Sequence, residues 1–125
     1  MREKIVVSAL PKTWILDLDG TIVKHNGYKL DGRDTLLPGA MEFLGGISDQ
    51  DMVIFVTSRT EECRAQTESF LRENGIRYNY IVFGAPYGER ILINDRKPSG
   101  LRMAVAVNPE RDCFTDVVFE VDEKL

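Results

Sequence analysis

The chain has 125 residues, of which 43% are hydrophobic, so it can form one domain with a core but has no room for a second. Its net charge of −4 argues against a broad basic surface for nucleic acid, and no apolar run approaches the roughly 20 residues of a membrane span. Cys63 and Cys113 lack metal-ligand spacing. The first residues form too short an apolar stretch for a signal peptide, so we expect a cytoplasmic protein.

Short apolar runs alternate with helix-like segments along the chain. The predicted strands are residues 14–18, 52–57, 80–83, 91–94 and 103–107, with an edge strand or pairing tail at Val117–Val121. One helix is predicted to begin at Pro38, another to span residues 61–74 before Gly75, and residues 99–102 to add a last helical turn. This alternation predicts an α/β fold: a three-layer, Rossmann-like parallel sheet in a single domain, residues 1–125.

Polar side chains follow three of these strands. Asp17 and Asp19 flank Leu18, so a continuing strand would direct both carboxylates to one face, where they repel each other unless a cation or a proton intervenes. Ligands of parallel α/β sheets bind beyond the carboxyl ends of the strands. The polar groups predicted to meet at that edge are Asp17 and Asp19, then Thr57, Ser58 and Arg59, then Asn94, Asp95, Arg96 and Lys97.

The chemistry of this set favours phosphate and a hard cation. Carboxylate and amide oxygens without nearby His or Cys suit Mg²⁺. Lys, Arg and hydroxyl groups suit the oxygens of a phosphoryl group, whose transfer depends mainly on charge neutralisation and positioning. The residues therefore predict a site for phosphoryl transfer.

Residues 17–21, D-L-D-G-T, resemble the first motif, D-x-D-G-T, of the haloacid dehalogenase (HAD) superfamily of phosphatases. Thr57, after its strand, resembles the second motif of that superfamily, and the pair Asn94-Asp95 resembles the fourth, acidic motif. The resemblance covers residues 13–107. It implies that Asp17 attacks phosphorus to form an aspartyl-phosphate, and that Asp19 protonates the leaving oxygen and then activates water.

The resemblance also implies binding roles. Mg²⁺ would be held by Asp17, the main-chain carbonyl of Asp19, Asp95 and the Asn94 oxygen. The third motif is a Lys or Arg, for which this chain offers Lys97, the residue we favour, or Arg90. The residues predicted to bind substrate or phosphate are Gly20, Thr57, Ser58, Arg59 and Arg90.

Many HAD enzymes carry a cap domain, but the spacing from Thr21 to Thr57 leaves no room for one. Residues 22–36 are predicted to form a small flap, a hairpin around Asn26-Gly27, whose His25 we interpret as a solvated loop residue. Tyr87 is the tyrosine most expected near the site. An open site suits a large substrate, or is covered by a neighbouring subunit in a homo-oligomer.

The predicted function is Mg²⁺-dependent hydrolysis of a phosphomonoester. Residues 95–98 and 106–112 also resemble small HAD proteins of capsule and surface-polysaccharide gene sets, which implies a sugar, polyol or amino-alcohol phosphate, or a saccharide precursor, as substrate. Residues 57–59 with 94–96 are similar to the polynucleotide 3′-phosphatase branch, against which the lack of a basic stripe argues. A non-catalytic phosphate- or Mg²⁺-binding regulator is the third alternative, and the presence of Asp19 argues against it.

Overall fold

The strands form two separate parallel sheets. The computed structural model describes residues 3–114 and 117–125. In chain order the elements are β1 (Glu3–Val7), β2 (Thr13–Leu16), α1 (Gly27–Leu30), α2 (Ala40–Gly45), β3 (Met52–Val56), a 3₁₀ turn (Glu61–Cys63), α3 (Arg64–Glu73), β4 (Tyr80–Val82) and β5 (Val117–Val121). A mixed α/β fold with parallel strands is therefore confirmed.

The larger sheet has the order β2-β3-β4, and the smaller one pairs β1 with β5. Ile54 lies opposite Ile15 on one side and Tyr80 on the other, which fixes the register of the three strands. Adjacent parallel strands bring their carboxyl ends to one edge, where the polar residues follow. The strands predicted at 14–18, 52–57, 80–83 and Val117–Val121 are confirmed, with differences of one or two residues at their ends.

Alternation of side chains explains where the core lies. Val53 and Phe55 of β3 are buried, and Leu71 of α3 packs with them in the same apolar cluster. The helix predicted at 61–74 is confirmed as the 3₁₀ turn followed by α3, and Gly75, with φ of 66°, ends it. No helix in the described ranges is both long and apolar enough to cross a membrane.

An aromatic cluster joins the two sheets. The ring of Trp14 on β2 meets the rings of Phe43 on α2 and Phe119 on β5 edge-to-face, with centroids 5.3 and 5.0 Å apart. Phe43 also contacts Phe114, at 4.8 Å. Such ring pairs are more stabilising than their buried apolar area alone, so this cluster holds β5 against β2 and α2.

Asp51 anchors the start of the larger sheet. Its carboxylate accepts hydrogen bonds from the Lys12 backbone N–H (3.0 Å) and the Trp14 indole N–H (2.9 Å), and the residue is buried. Asp51→Ala should therefore lower the free energy of unfolding in urea by about 1–3 kcal/mol, because two donors lose their acceptor. Asp49→Ala, at an exposed neighbouring position, is the control; an equal loss in both variants would contradict the assignment.

The distal segment, residues 91–107, corrects the sequence prediction. Neither the strand predicted at 91–94 nor the one at 103–107 forms. The helical turn predicted at 99–102 is absent as well, and the chain makes only a non-helical turn at residues 98–99. Ile91 and Ile93 are 82% and 91% exposed. Apolar composition favours extended backbone, but a strand exists only through ladder hydrogen bonds to a neighbour. Among the described residues, β2 has only β3 as such a neighbour.

Candidate active site

A cleft of about 490 Å³ lies beyond the carboxyl ends of β2 and β3. The flap forms one wall, and the loop after β4 forms another. The predicted site residues that line this cleft are Asp17, Asp19, Gly20, Thr57, Ser58, Arg59 and Arg90. Residues far apart in the sequence are thus brought to one place by the parallel order of the strands.

Asp17 offers a partly accessible carboxylate to the cleft. Leu18 is buried in the core, and its two neighbours in sequence, Asp17 and Asp19, both line the cleft. The Asp17 carboxylate accepts hydrogen bonds from the Thr21 hydroxyl (3.0 Å) and from Nη1 of Arg90 (2.9 Å), and its side chain is 34% exposed. The Arg90 cation offsets part of the repulsion between the two carboxylates.

The turn after Asp19 requires glycine. Gly20 has φ of 86°, and a Cβ at this position would lie 3.2 Å from Cγ of Arg111. The Gly20 carbonyl accepts a 2.7 Å hydrogen bond from the Asp112 N–H, and the Asp112 carboxylate accepts one from the His25 N–H (2.8 Å). These bonds fold the chain around residue 111 back over the turn, so that the Arg111 side chain lines the cleft.

Hydroxyl groups follow β3 at the base of the cleft. Thr57 is buried, and its oxygen accepts a hydrogen bond from the Arg59 N–H (3.1 Å), which leaves the hydroxyl proton free to donate. The Ser58 hydroxyl lies 3.4 Å from the Pro86 carbonyl at the surface. Ala85 donates its N–H to the Thr57 carbonyl, which fixes the loop after β4 beside these hydroxyls.

Arg59 is the most constrained charged residue of the site, and its side chain is 1% exposed. Its guanidinium donates two hydrogen bonds to Asp19 (both 2.9 Å), two to Asp34 (2.7 and 3.0 Å) and one to the Thr67 hydroxyl (3.0 Å). Its Cζ lies 4.0 Å from the centre of the Tyr28 ring. Burial acts to lower the pKa of Arg59, but the hydrogen bonds and charges of Asp19 and Asp34 outweigh it and raise that pKa.

The sequence prediction that Arg59 binds substrate or phosphate is corrected by these contacts. A guanidinium has five N–H donors, and all five are used within the protein. Arg59 therefore lines the cleft without a donor to offer to a ligand.

The residues predicted after residue 93 do not reach the cleft. Asn94 lies in a separate groove with Arg96 and Arg102, and Asp95 and Lys97 are exposed outside the cleft lining. The physical reason is that the segment before them does not join the sheet, so no strand end delivers them. Of the two candidates for the third-motif cation, the structure brings Arg90 to Asp17, whereas the favoured residue, Lys97, lies elsewhere.

The predicted metal ligands are accordingly not assembled. Among the described residues, no group of three or more His, Cys, Asp or Glu side chains is close enough to hold a metal ion. Asp17 and Asp19 remain together, but Asn94 and Asp95 do not join them. The donors at this cleft therefore do not match the four-residue set predicted for Mg²⁺.

Several cleft residues were missed by the sequence analysis or interpreted differently. His25 lines the cleft, and its Nδ1 atom is buried with no hydrogen-bond partner among the described residues. Asp34 and Tyr28 of the flap contact Arg59.

The flap is only partly the predicted hairpin: Val23 and Leu36 form one antiparallel bridge, but the tip is the helical turn α1. Tyr87 lines the cleft, as the sequence predicted.

No family profile and no curated protein matches this chain. Solved structures that are similar to it include the following two. One, a chain of a structure of a Pnkp1/Rnl/Hen1 complex, shares 27% identity with a TM-score of 0.52 over 68% of this chain and 32% of its own. The other, from a structure of the Pnkp1/Rnl/Hen1 RNA repair complex, shares 29% identity with a TM-score of 0.51 over 67% of this chain and 29% of its own. This chain thus spans about a third of the chains to which it is similar.

Proposed function

We propose that this protein is a phosphomonoester hydrolase of the HAD type, with the three-layer arrangement of that superfamily. One observation carries the proposal: an accessible carboxylate, Asp17, lies between Thr21 and Arg90 at the end of a strand, two residues before a second carboxylate fixed by Arg59. A nucleophile and a separate acid and base, placed in one cleft with cationic side chains, are what phosphoryl transfer through a covalent intermediate requires.

In the first step, a carboxylate oxygen of Asp17 forms a bond to phosphorus, and the bond from phosphorus to the ester oxygen breaks. Asp19 enters this step protonated, with each of its oxygens still able to accept an N–H of Arg59, and gives its proton to the leaving oxygen, which departs as an alcohol. The products of this step are an aspartyl-phosphate on residue 17 and ionised Asp19. Both carboxylates line the same cleft while Leu18 between them is buried, so both can act on one bound phosphoryl group.

In the second step, Asp19 acts as a base. It takes a proton from water as the water oxygen bonds to phosphorus, and the bond to Asp17 breaks to release inorganic phosphate. Each residue returns to its starting state: Asp17 as a carboxylate and Asp19 protonated. The same side chain serves both steps because the proton that it gives up in the first is regained in the second.

The charge on the phosphoryl oxygens is offset by groups of this chain. Arg90 is 39% exposed and already contacts the nucleophile, so it can donate further N–H groups to a phosphate bound there. The Thr57 hydroxyl and the Ser58 backbone follow β3, line the same cleft and supply neutral donors. Arg111 lines the cleft as well and adds positive charge.

Mg²⁺ stays a prediction that rests on the resemblance to HAD phosphatases. The cation would neutralise phosphoryl charge, but the described residues supply Asp17 and Asp19 without the other predicted ligands. No step above is assigned to a metal. Phosphate release measured with Mg²⁺ and with EDTA tests the requirement directly.

A second, narrower candidate is a polynucleotide 3′-phosphatase, which two observations favour over a sugar phosphatase. The similar structures belong to an RNA repair complex, although this chain spans only a third of them. Tyr87 lines the cleft and is 91% exposed, so its ring can stack on a nucleobase. These observations weaken the composition-based argument against nucleic acid. A sugar or polyol phosphate from surface-polysaccharide synthesis stays the alternative that the sequence predicts.

The test is phosphate release from a panel of sugar phosphates, glycerol phosphates and oligonucleotides that end in a 3′-phosphate. Release from any member supports the hydrolase, and preference for the oligonucleotide supports the narrower candidate. Tyr87→Ala should then lower kcat/KM for the oligonucleotide by about fivefold to a hundredfold, the value of one stacked base. Tyr80→Ala, which removes an exposed ring outside the cleft, is the matched control. No release from any ester by the folded protein would contradict the proposal.

The two candidate cations make a second test. Arg90→Ala should lower kcat/KM by about 10²-fold or more, because a charge-assisted contact to the phosphoryl group is lost at the nucleophile. Lys97→Ala should stay within about twofold of the parent, because Lys97 lies outside the cleft. The reverse ranking of the two variants, measured by steady-state kinetics, would show that Lys97 is the cation that acts.

A further inference from the structure

We propose that Arg59 and Asp34 are positioning residues that orient Asp19 and link it to the flap; this inference rests on the function proposed above. Arg59 follows β3, Asp34 lies near the end of the flap and Asp19 follows β2. One buried guanidinium thus connects three separate parts of the chain. Its contact with Asp19 uses two parallel N–H donors, an arrangement that fixes the plane of the carboxylate as well as its distance.

In this arrangement Arg59 has no free donor for a phosphate ligand. Its five N–H donors are all satisfied by protein oxygens, and a phosphate could gain one only by displacing a carboxylate or the Thr67 hydroxyl. The side chain is 1% exposed, and the Tyr28 ring covers its face. A residue that binds substrate keeps a free donor directed into the cleft, and Arg59 has none.

Asp34 is needed to hold this arrangement. Its side chain is 2% exposed, and its described partner is Arg59. A buried carboxylate is retained only where a cation compensates it, so Asp34 and Arg59 each depend on the other. Asp34 and Tyr28 both belong to the flap, whose His25 lines the cleft. The Arg59 guanidinium therefore fixes both the position of the flap and the orientation of Asp19.

This arrangement has a specific kinetic consequence. Asp19 must protonate an alkoxide leaving group, but 2,4-dinitrophenolate is stable enough to depart without a proton. Misplacing Asp19 therefore slows hydrolysis of an alkyl phosphate much more than formation of the aspartyl-phosphate from 2,4-dinitrophenyl phosphate. Loss of a phosphate ligand, or general loosening of the cleft, would slow both reactions alike.

The experiment measures kcat and KM for glycerol 2-phosphate, and the pre-steady-state burst of dinitrophenolate from 2,4-dinitrophenyl phosphate, in Asp34→Asn and Arg59→Lys. We expect kcat for the alkyl ester to fall about 10- to 100-fold with KM within about threefold, and the burst rate to change less than about threefold. Asp31→Asn, which alters an exposed flap carboxylate paired with Lys24, should leave both reactions unchanged. Asp19→Asn gives the difference between the two esters that is expected for complete loss of the acid.

The outcomes separate the inference from the function on which it rests. If the folded parent protein hydrolyses neither these two esters nor any member of the substrate panel, the proposed function fails and the inference with it. If the parent is active but both variants slow the two esters equally, or act mainly through KM, only the inference is overturned. Should Asp34→Asn and Arg59→Lys not fold, Thr67→Val removes a single acceptor of Arg59 at nearly constant volume. Thr67→Val must then slow the alkyl ester more than the dinitrophenyl ester, by a smaller factor. Equal effects on the two esters would overturn the inference.

Discussion

Asp17→Asn is expected to lower kcat for phosphate release by at least about 10³-fold, because an amide cannot form the bond to phosphorus on which both steps depend. The fold should survive the change. Asp17 is 34% exposed, and its partners, Thr21 and Arg90, lie with it at the cleft rather than in the core. The rate is measured with the substrate that the parent hydrolyses fastest, and unfolding in urea is followed in parallel.

Asp31→Asn is the matched control for this variant, since it removes the same charge from an exposed position on the flap. Its activity should equal that of the parent. Residual activity above about a tenth of the parent's in Asp17→Asn would contradict the assignment of the nucleophile. A loss of activity accompanied by unfolding would instead give Asp17 a structural role.

Arg59→Met should produce the largest loss of stability among the substitutions considered for the site, about 3–5 kcal/mol in the free energy of unfolding. Methionine fills part of the volume but supplies none of the five donors, so Asp19 and Asp34 lose their cation. Asp34, whose side chain is 2% exposed, bears most of the penalty. For a chain of this length the midpoint of thermal unfolding should fall by roughly 10–20 °C.

A double variant tests the cause of that loss. Adding Asp34→Leu to Arg59→Met removes the buried carboxylate that the first substitution leaves uncompensated, so the double variant should be more stable than Arg59→Met alone. Losses that simply add would show that the two residues act independently. A change below about 0.5 kcal/mol in Arg59→Met would show that the pair behaves like an exposed ion pair.

The sequence allowed prediction of the three strands of the larger sheet and of seven residues that line the cleft, because both depend on local patterns. Short apolar runs mark β2 and β3 whatever their neighbours, and the rule for parallel strands then brings Asp17 and Thr57 to one edge. Gly20 could be anticipated in the same way, since its turn needs a positive φ. These features require no knowledge of which segments pack together at a distance.

The distal segment shows where local pattern is insufficient. Residues 91–94 have the composition of a buried strand, yet they carry Ile93 at 91% exposure and pair with no strand in the described part of the chain. Composition indicates that a segment can form a strand, whereas pairing depends on a partner edge. The predicted roles of Asn94, Asp95 and Lys97 depended on that pairing, and their absence from the cleft follows from it.

Asp34 and the internal role of Arg59 could not be predicted for a different reason. Asp34 lies in a polar loop with no periodic signal, 25 positions before the arginine that it contacts. Arg59 follows Thr57 and Ser58, and proximity in sequence suggested that all three face the ligand. In the structure its guanidinium instead lies between the flap and α3, because Asp34 and Thr67 offer acceptors there.

The most direct test of the account is to trap the intermediate. Asp19→Asn, mixed with 2,4-dinitrophenyl phosphate, should form the aspartyl-phosphate, since this leaving group needs no acid, but should hydrolyse it slowly, since the base is absent. Acid quenching followed by mass spectrometry should then find one phosphoryl group on the peptide that contains residue 17. A parent protein that releases phosphate while Asp19→Asn and the parent both show no phosphorylated Asp17, or carry the group on another residue, would contradict the central claim.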